Sequence, residues 1–222
     1  MISTGIKLFD KKLNGGLPEK TVSLLSGGPG TGKTLFALNY LNEGLKNNEK
    51  CVYVSLNENK EELIRATRGI QELKEMEKQL GKKLSIESIE LGKMIDLNYF
   101  VDIFSSYPKV DRIAIDNVNK MLMFAEDKKE FRTQLSKLIR ILKKKTKNAI
   151  LICETVDHEL DTGNGEAYEC DGVINIRFIE VEEKPKRMIA VYKMRYTDFD
   201  ERVQYELKLN KKGFKMTETK YI

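Results

Sequence analysis

The segment Gly27-Gly28-Pro29-Gly30-Thr31-Gly32-Lys33-Thr34 constrains this chain more than any other, because its spacing dictates both a backbone shape and a ligand chemistry. It fits a Gly, four residues, then Gly-Lys-Thr. Glycines without Cβ atoms let the backbone wrap a phosphate chain, with successive N–H groups aimed inward as an anion nest. Lys33 then reaches the β- and γ-phosphates, and the Thr34 hydroxyl ligates Mg²⁺. A helix beginning near Lys33 adds its positive N-terminal end. Gly28, Pro29, Gly30, Thr31, Gly32, Lys33, Thr34 and Leu35 are therefore the candidate nucleotide-binding residues.

The surroundings of the loop supply the context that the motif requires. Thr21 to Ser26 is short, β-branched and apolar, as a buried strand should be. After the loop, Leu35, Phe36, Leu38, Tyr40, Leu41 and Leu45 recur at helical spacing until Asn47-Asn48 breaks the pattern. Further along, apolar runs alternate with amphipathic helical patterns, which predicts an α/β fold with a mainly parallel sheet flanked by helices. Strands are expected at Lys50–Ser55, Leu84–Leu91, Arg112–Asp116 and Ala149–Cys153. Helices are expected at Glu61–Leu80, with an interruption at Gly69, at Asn98–Tyr107 before Pro108, and at Lys128–Lys145. From Val173 onward the pattern changes to antiparallel strands, Val173–Val181, Arg187–Lys193 and Val203–Leu209, the first pair turning near Lys184-Pro185. No linker or internal repeat interrupts the chain, so one domain over 1–222 is expected.

Composition narrows the class. Charged residues make up 33% of the chain, but 39 basic residues against 34 acidic leave a net charge of only +5, which does not imply nucleic acid. Abundant Lys and Glu without Trp suits a thermophile. No apolar run is long enough to span a membrane, and Met1 to Lys7 lacks the apolar core of a signal peptide. Cys51, Cys153 and Cys170 are odd in number and widely spaced, reading as reduced core residues, so the cytoplasm is the expected compartment.

Two carboxylates complete the candidate chemistry. Asp116 ends the apolar run Ile113-Ala114-Ile115 and suits a Mg²⁺ ligand, direct or through water; the alternative is a turn cap after a strand. Glu58 lies just beyond the strand expected beside the loop strand. Ligands sit at the carboxyl ends of parallel strands, which would place Glu58 to face the γ-phosphate as base or water-positioning group. A surface glutamate at the start of the following helix is an equally open reading.

Three pieces together resemble the KaiC family of RecA-type ATPases: Leu13-Asn14-Gly15-Gly16-Leu17-Pro18, the glycine loop, and Val52 to Glu58 followed by Glu61-Glu62-Leu63. The resemblance continues through Ile115-Asp116-Asn117-Val118 and Glu169 to Ile174, ending at Lys193-Met194-Arg195. It implies a RecA-like P-loop NTPase fold, ATP and Mg²⁺ as ligands, ATP hydrolysis, and a homo-oligomeric ring, typically a hexamer. By the same resemblance Lys193 and Arg195 act in trans on a neighbour's γ-phosphate. An unknown regulatory protein partner also follows. The family's usual pair of carboxylates after the second strand reads Asn57-Glu58 here, implying slow turnover. Asn117 stands where relatives commonly have Ser. Gly165 to Cys170 carries no Ser or Thr, so clock-type autophosphorylation is not expected.

DNA-binding recombinases share this core, but the segment after Ala149–Cys153 reads Asp157 to Glu166 and is strongly acidic, which phosphates repel. Nucleic-acid binding through that loop is therefore not expected, although a ring could engage it elsewhere. The lone His158 has no second His to make a metal site and is read as part of a solvated loop. A nucleotide-dependent binding switch with little turnover is the alternative to an active ATPase.

Overall fold

The computed structural model describes residues 1–88, 94–107, 109–156 and 159–221. Residues 89–91 of the third expected strand lie outside that range, as do Pro108, Asp157 and His158. The apolar runs become the strands β1 (Thr21–Gly27), β2 (Cys51–Ser55), β3 (Leu84–Ser88), β4 (Arg112–Asp116) and β5 (Asn148–Glu154), all buried along their length except the edge strand β3 and the terminal Glu154. Side chains alternate between the faces of a strand, so runs with apolar side chains on both faces need cover on both, as parallel sheets have. The strands β6 (Gly172–Val181), β7 (Lys184–Met194), β8 (Gln204–Asn210) and β9 (Gly213–Tyr221) extend the same sheet. The order is β3-β2-β4-β5-β1-β6-β7-β8-β9, parallel through β6 and antiparallel beyond it.

The helices divide between the two faces. Of α1 (Lys7–Lys12), α2 (Lys33–Lys46), α3 (Lys60–Arg68) and α4 (Leu97–Ser105), the first three cover one face and α4 the other. Phe9, Phe36, Tyr40, Leu41 and Leu63 meet Leu25, Tyr53, Ala114 and Ile152 on the first face. The short α5 (Asn119–Leu122), α6 (Lys128–Lys145) and the one-turn α7 (Glu166–Glu169) lie on the second. There Phe131, Leu135, Leu138 and Leu142 of α6 join Phe100 and Phe104 of α4 over Leu24, Val54, Ile115 and Leu151. Each such side chain contributes about 2 kcal/mol through removal from water. None of the described helices is long and apolar enough to cross a membrane. All three cysteines are buried and unpaired, and burial pushes the Cys51 thiol up to about 12.

Several local expectations change. The segment expected as one helix from Glu61 to Leu80 is helical only to Arg68, with Gly69 as its C-cap and a 3₁₀ turn at Met76–Gln79. The reason is tertiary: the N–H groups of Gln71 and Glu72 donate to Lys211 and Lys212 at the tip of the β8–β9 hairpin, not to their own helix. The β6–β7 turn falls at Glu182-Glu183, with φ of 52° and 60°, and Pro185 lies within β7 opposite Glu180. Two successive left-handed residues match the twist of a two-residue hairpin, but without Gly or Asn they leave little signal. The helices α1, α5 and α7 and the strand β9 have no counterpart in the sequence reading; three are single turns or little more. The basic end of α6 is partly anchored, since Lys143 pairs with Asp171 at 2.9 Å and Lys145 donates to the Phe104 carbonyl at 3.0 Å.

One buried cation ties the N-terminal segment, α2 and the sheet together. Arg112 is 2% exposed; its Nε meets Glu49 at 2.5 Å and its Nη1 donates to the carbonyls of Ser3 and Tyr40 at 2.6 and 2.9 Å. A Cβ on Gly44 would come within 2.7 Å of it, so α2 carries a glycine where the guanidinium passes. Removing one member of a buried pair strands its partner. Arg112→Met leaves Glu49 to Lys147 alone and is expected to lower stability by about 3 kcal/mol in urea unfolding; an unchanged midpoint would remove Arg112 from that role.

Candidate functional site

The glycine loop follows directly from β1. Gly27 has φ of 152°, and a Cβ there would lie 2.0 Å from the Ile176 carbonyl oxygen of β6, so the strand can approach only as glycine. Gly30 and Gly32 have φ of 72° and 94°, and Gly32 is the N-cap of α2, without a side-chain cap. Among the described residues, the N–H groups of Gly30, Thr31 and Gly32 donate no backbone hydrogen bond outside regular elements. They are donors that an anion can take at a helix N-terminus. Thr31 is buried and donates to the Gly28 carbonyl at 2.9 Å, latching the loop from behind. Lys33, 6% exposed, also donates to that carbonyl, at 2.7 Å; burial lowers its pKa.

The second element comes from β4. Asp116 pairs in register with Ser55 of β2, and its Oδ2 accepts hydrogen bonds from the hydroxyls of Thr34 at 2.7 Å and Tyr53 at 2.6 Å. Burial raises its pKa, opposed by those two bonds and by Lys33. A hydroxyl and a carboxylate in contact, both hard oxygen donors, are of the donor type that Mg²⁺ takes, so Thr34 and Asp116 would hold such an ion.

Glu58 stands across from these groups. Ser55 Oγ donates to the Glu58 carbonyl at 2.6 Å and accepts from its N–H at 3.0 Å, which fixes the turn after β2. The capping of α3 is done by Asn59 and Glu62, each bonding the other's backbone N–H at 2.9 Å, so Glu58 has no part in it. Glu58 instead lines a cavity of about 750 Å³ together with Pro29, Gly30, Gly32, Lys33, Thr34, Leu35 and Asp116. Partial burial raises its pKa, helped by the negative charges of Asp116 and Glu62.

The cavity has further walls that sequence reasoning missed. Glu154 ends β5 opposite Gly27 and lines the cavity; its negative charge opposes the lowering of the Lys33 pKa by burial and adds to the raising of that of Asp116. The rule that ligands lie at carboxyl ends of parallel strands points to it. Tyr53 had only strand character to offer. Ala66, Ile70 and Leu209, with Asn210 and Lys211, form a more apolar end built where the β8–β9 hairpin meets the turn after α3. No local pattern brings those two segments together.

Gly28 and Thr31 stand behind the loop and do not line this cavity, and neither do Lys193 and Arg195. Lys193 Nζ donates to the carbonyls of Ala167, Tyr168 and Cys170 at 3.0, 3.1 and 2.6 Å, closing the C-terminal end of α7, and burial lowers its pKa. Arg195 pairs with Asp171 at 3.4 Å. Within one protomer, then, the loop, Asp116 and Glu58 share a cavity, while Lys193 and Arg195 sit elsewhere.

A strand, glycine loop and helix with a carboxylate at the end of a nearby parallel strand define a P-loop protein of the RecA type. The chain belongs to the KaiC ATPase family: the family model described as ATPase: KaiC matches residues 2–221. The UPF0273 protein of Methanopyrus kandleri is 29% identical over 213 residues, covering 88% of this chain and 84% of that one. The circadian clock protein KaiC2 of Synechocystis sp. is 32% identical over 202 residues, 86% of this chain but 36% of the longer protein. The crystal structure of a KaiC-like protein from the hyperthermophilic archaeon Pyrococcus horikoshii superposes with a TM-score of 0.83 at 28% identity, covering 97% of this chain and 98% of that one. Family membership implies nucleotide binding.

The raised pKa of Asp116 has a consequence for stability. Above its folded-state pKa the ionised carboxylate opposes folding, and that cost disappears as pH falls below the unfolded value. Asp116→Asn is therefore expected to stabilise the ligand-free protein near pH 8 by on the order of 1 kcal/mol, a gain that fades on acidification. Thermal unfolding across pH checks this; a destabilised variant at pH 8 would contradict it.

Proposed function

We propose that the chain is a slow Mg²⁺-dependent ATPase working in a homo-oligomeric ring, and that its nucleotide state controls docking to a regulatory protein partner. The observation that carries this reading is the convergence of Lys33, the Thr34–Asp116 pair and Glu58 on one cavity. The loop N–H groups and Lys33 hold the phosphates. Thr34 and Asp116 would hold Mg²⁺, which would supply neutralisation of the phosphate charge. Glu58 orients the attacking water, and its raised pKa keeps it closer to the proton affinity useful in a base. Asn57, where the family has a second carboxylate, leaves Glu58 alone in this role and accounts for slow turnover.

Lys193 and Arg195 would complete the site of the next protomer, neutralising charge on the transferring phosphoryl group. Their distance from the cavity of their own chain supports that assignment. The second reading, a binding switch with little turnover, is favoured by Asn57 together with the exposure of Glu58.

Phosphate release from Mg-ATP decides between the readings. Wild type is expected to exceed a Lys33→Ala control, and Glu58→Gln to lower kcat about 100-fold with nucleotide affinity little changed. The acid limb of kcat should lie above the ordinary glutamate range. Release no faster than the Lys33→Ala control favours the switch; a Glu58→Gln rate equal to wild type moves the role to another residue. Sizing with and without nucleotide tests the ring, and a persistent monomer removes the trans role of Lys193 and Arg195.

A further inference from the structure

The outer face of α6 carries a charge distribution that helix formation does not explain. Lys128, Lys129, Arg132, Lys137 and Arg140 are exposed and line one groove of about 610 Å³. Lys128 and Lys129 stand on the first turn, where the helix dipole disfavours cations. Lys128 and Arg132, four apart, repel across the helix surface, as do Arg140 and Lys144. Counter-charge is sparse: Glu169 pairs with Arg132 at 3.3 Å, and Glu130 is used by the Glu126 N–H and by Gln134.

Two carboxylates of the acidic loop beside this face are engaged within the loop itself. Asp161 accepts from the N–H groups of Gly163 and Ala167, and Glu166 is buried against Thr162, so both carboxylates turn into their own loop. The groove is thus a concave, predominantly positive surface in which, among the described residues, Glu169 is the one acidic side chain.

We propose that this face binds the phosphate backbone of a nucleic acid. Arg and Lys with the Thr133 and Ser136 hydroxyls, which also line the groove, are the side chains that contact phosphates. No apolar side chain lines the groove, whereas a docked protein would need an apolar centre to bury. At about 1.5 Å per residue, Lys128 to Arg140 spans roughly 18 Å, which matches roughly five nucleotides of one B-form strand at 3.4 Å each. The face does not line the nucleotide cavity of its own chain, although Arg132 reaches Glu169 of α7, the helix whose carbonyls Lys193 holds. It also leaves the loop after β5 out of the contact.

The test is fluorescence anisotropy of a labelled 20-base-pair DNA duplex and the matching RNA duplex, titrated with the full chain at increasing salt. Wild type is expected to bind one or both at low salt, with log affinity falling against log salt at a slope of roughly −4. A triple variant, Lys128→Glu, Lys137→Glu and Arg140→Glu, is expected to lose at least tenfold in affinity and to flatten the slope by roughly 3. Arg132 is left intact because it supports α7. Phosphate release and thermal unfolding of the variant should match wild type. If the reversal does not fold, the triple change to Gln carries the same test with a smaller loss. Three results would overturn the proposal. They are no salt-dependent binding by wild type, equal binding by the folded variant, and competition by polyglutamate as effective as by unlabelled duplex, which would mark an acidic protein as the occupant.

Discussion

The contact on which the site depends is the Asp116 carboxylate receiving the hydroxyls of Thr34 and Tyr53. It joins three elements that the chain order keeps apart: the start of α2, the middle of β2 and the end of β4. The carboxylate is 6% exposed, so without those donors its charge would be costly to bury. With them it is held in one rotamer beside the mouth of the glycine loop. Lys33 adds a cation to the same neighbourhood, and the two groups oppose each other's desolvation. An active site that must bind a highly charged ligand is here prepared by burying opposite charges in advance.

The sheet order explains why such an arrangement is available. β1 and β4 are separated by β5, and all three end at the same edge, so Gly27, Glu154 and Asp116 stand in a row at their carboxyl ends. The register pairing of Ser55 with Asp116 brings β2 to that row as well. From there Ser55 folds the chain back on Glu58. Thus four parallel strands deliver the loop, two carboxylates and the Glu58 turn to one crevice.

Much of this was legible in the sequence for a physical reason. Strands buried on both faces must be largely apolar, so β1, β2, β4 and β5 announce themselves, and α6 is bounded where its heptad-like apolar face begins and ends. The glycine loop is legible because each glycine answers a steric demand, as at Gly27 against β6. What stayed hidden depends on contacts between distant segments. The end of α3 is set by hydrogen bonds from the β8–β9 hairpin, and the apolar end of the cavity is made by the same meeting. Among its described side chains β9 buries too few to show a period, and the β6–β7 turn places two glutamates at positive φ where composition suggests nothing. Tyr53 and Glu154 were readable as strand residues, but the contact of Tyr53 with Asp116 and the place of Glu154 in the cavity come only from register.

The partners already held by Lys193 and Arg195 bear on how a ring could work. Lys193 satisfies three carbonyls that α7 would otherwise leave unbonded at its end, and Arg195 offsets the buried Asp171, which is also bonded by the Val22 N–H and by Lys143. Recruiting either cation to a neighbour's phosphate is therefore an exchange of partners and not the capture of a free charge. The net gain is the difference between two charge-assisted interactions, smaller than either one alone. Asp171 can yield Arg195 at modest cost because Lys143 and Val22 remain. The α7 carbonyls have no such substitute for Lys193, which makes its release the more expensive of the two. On the proposed reading, with Glu58 the one activating carboxylate, such an exchange would hold the trans contribution below that of preorganised, unengaged cations and would add to the slowing that Asn57 brings.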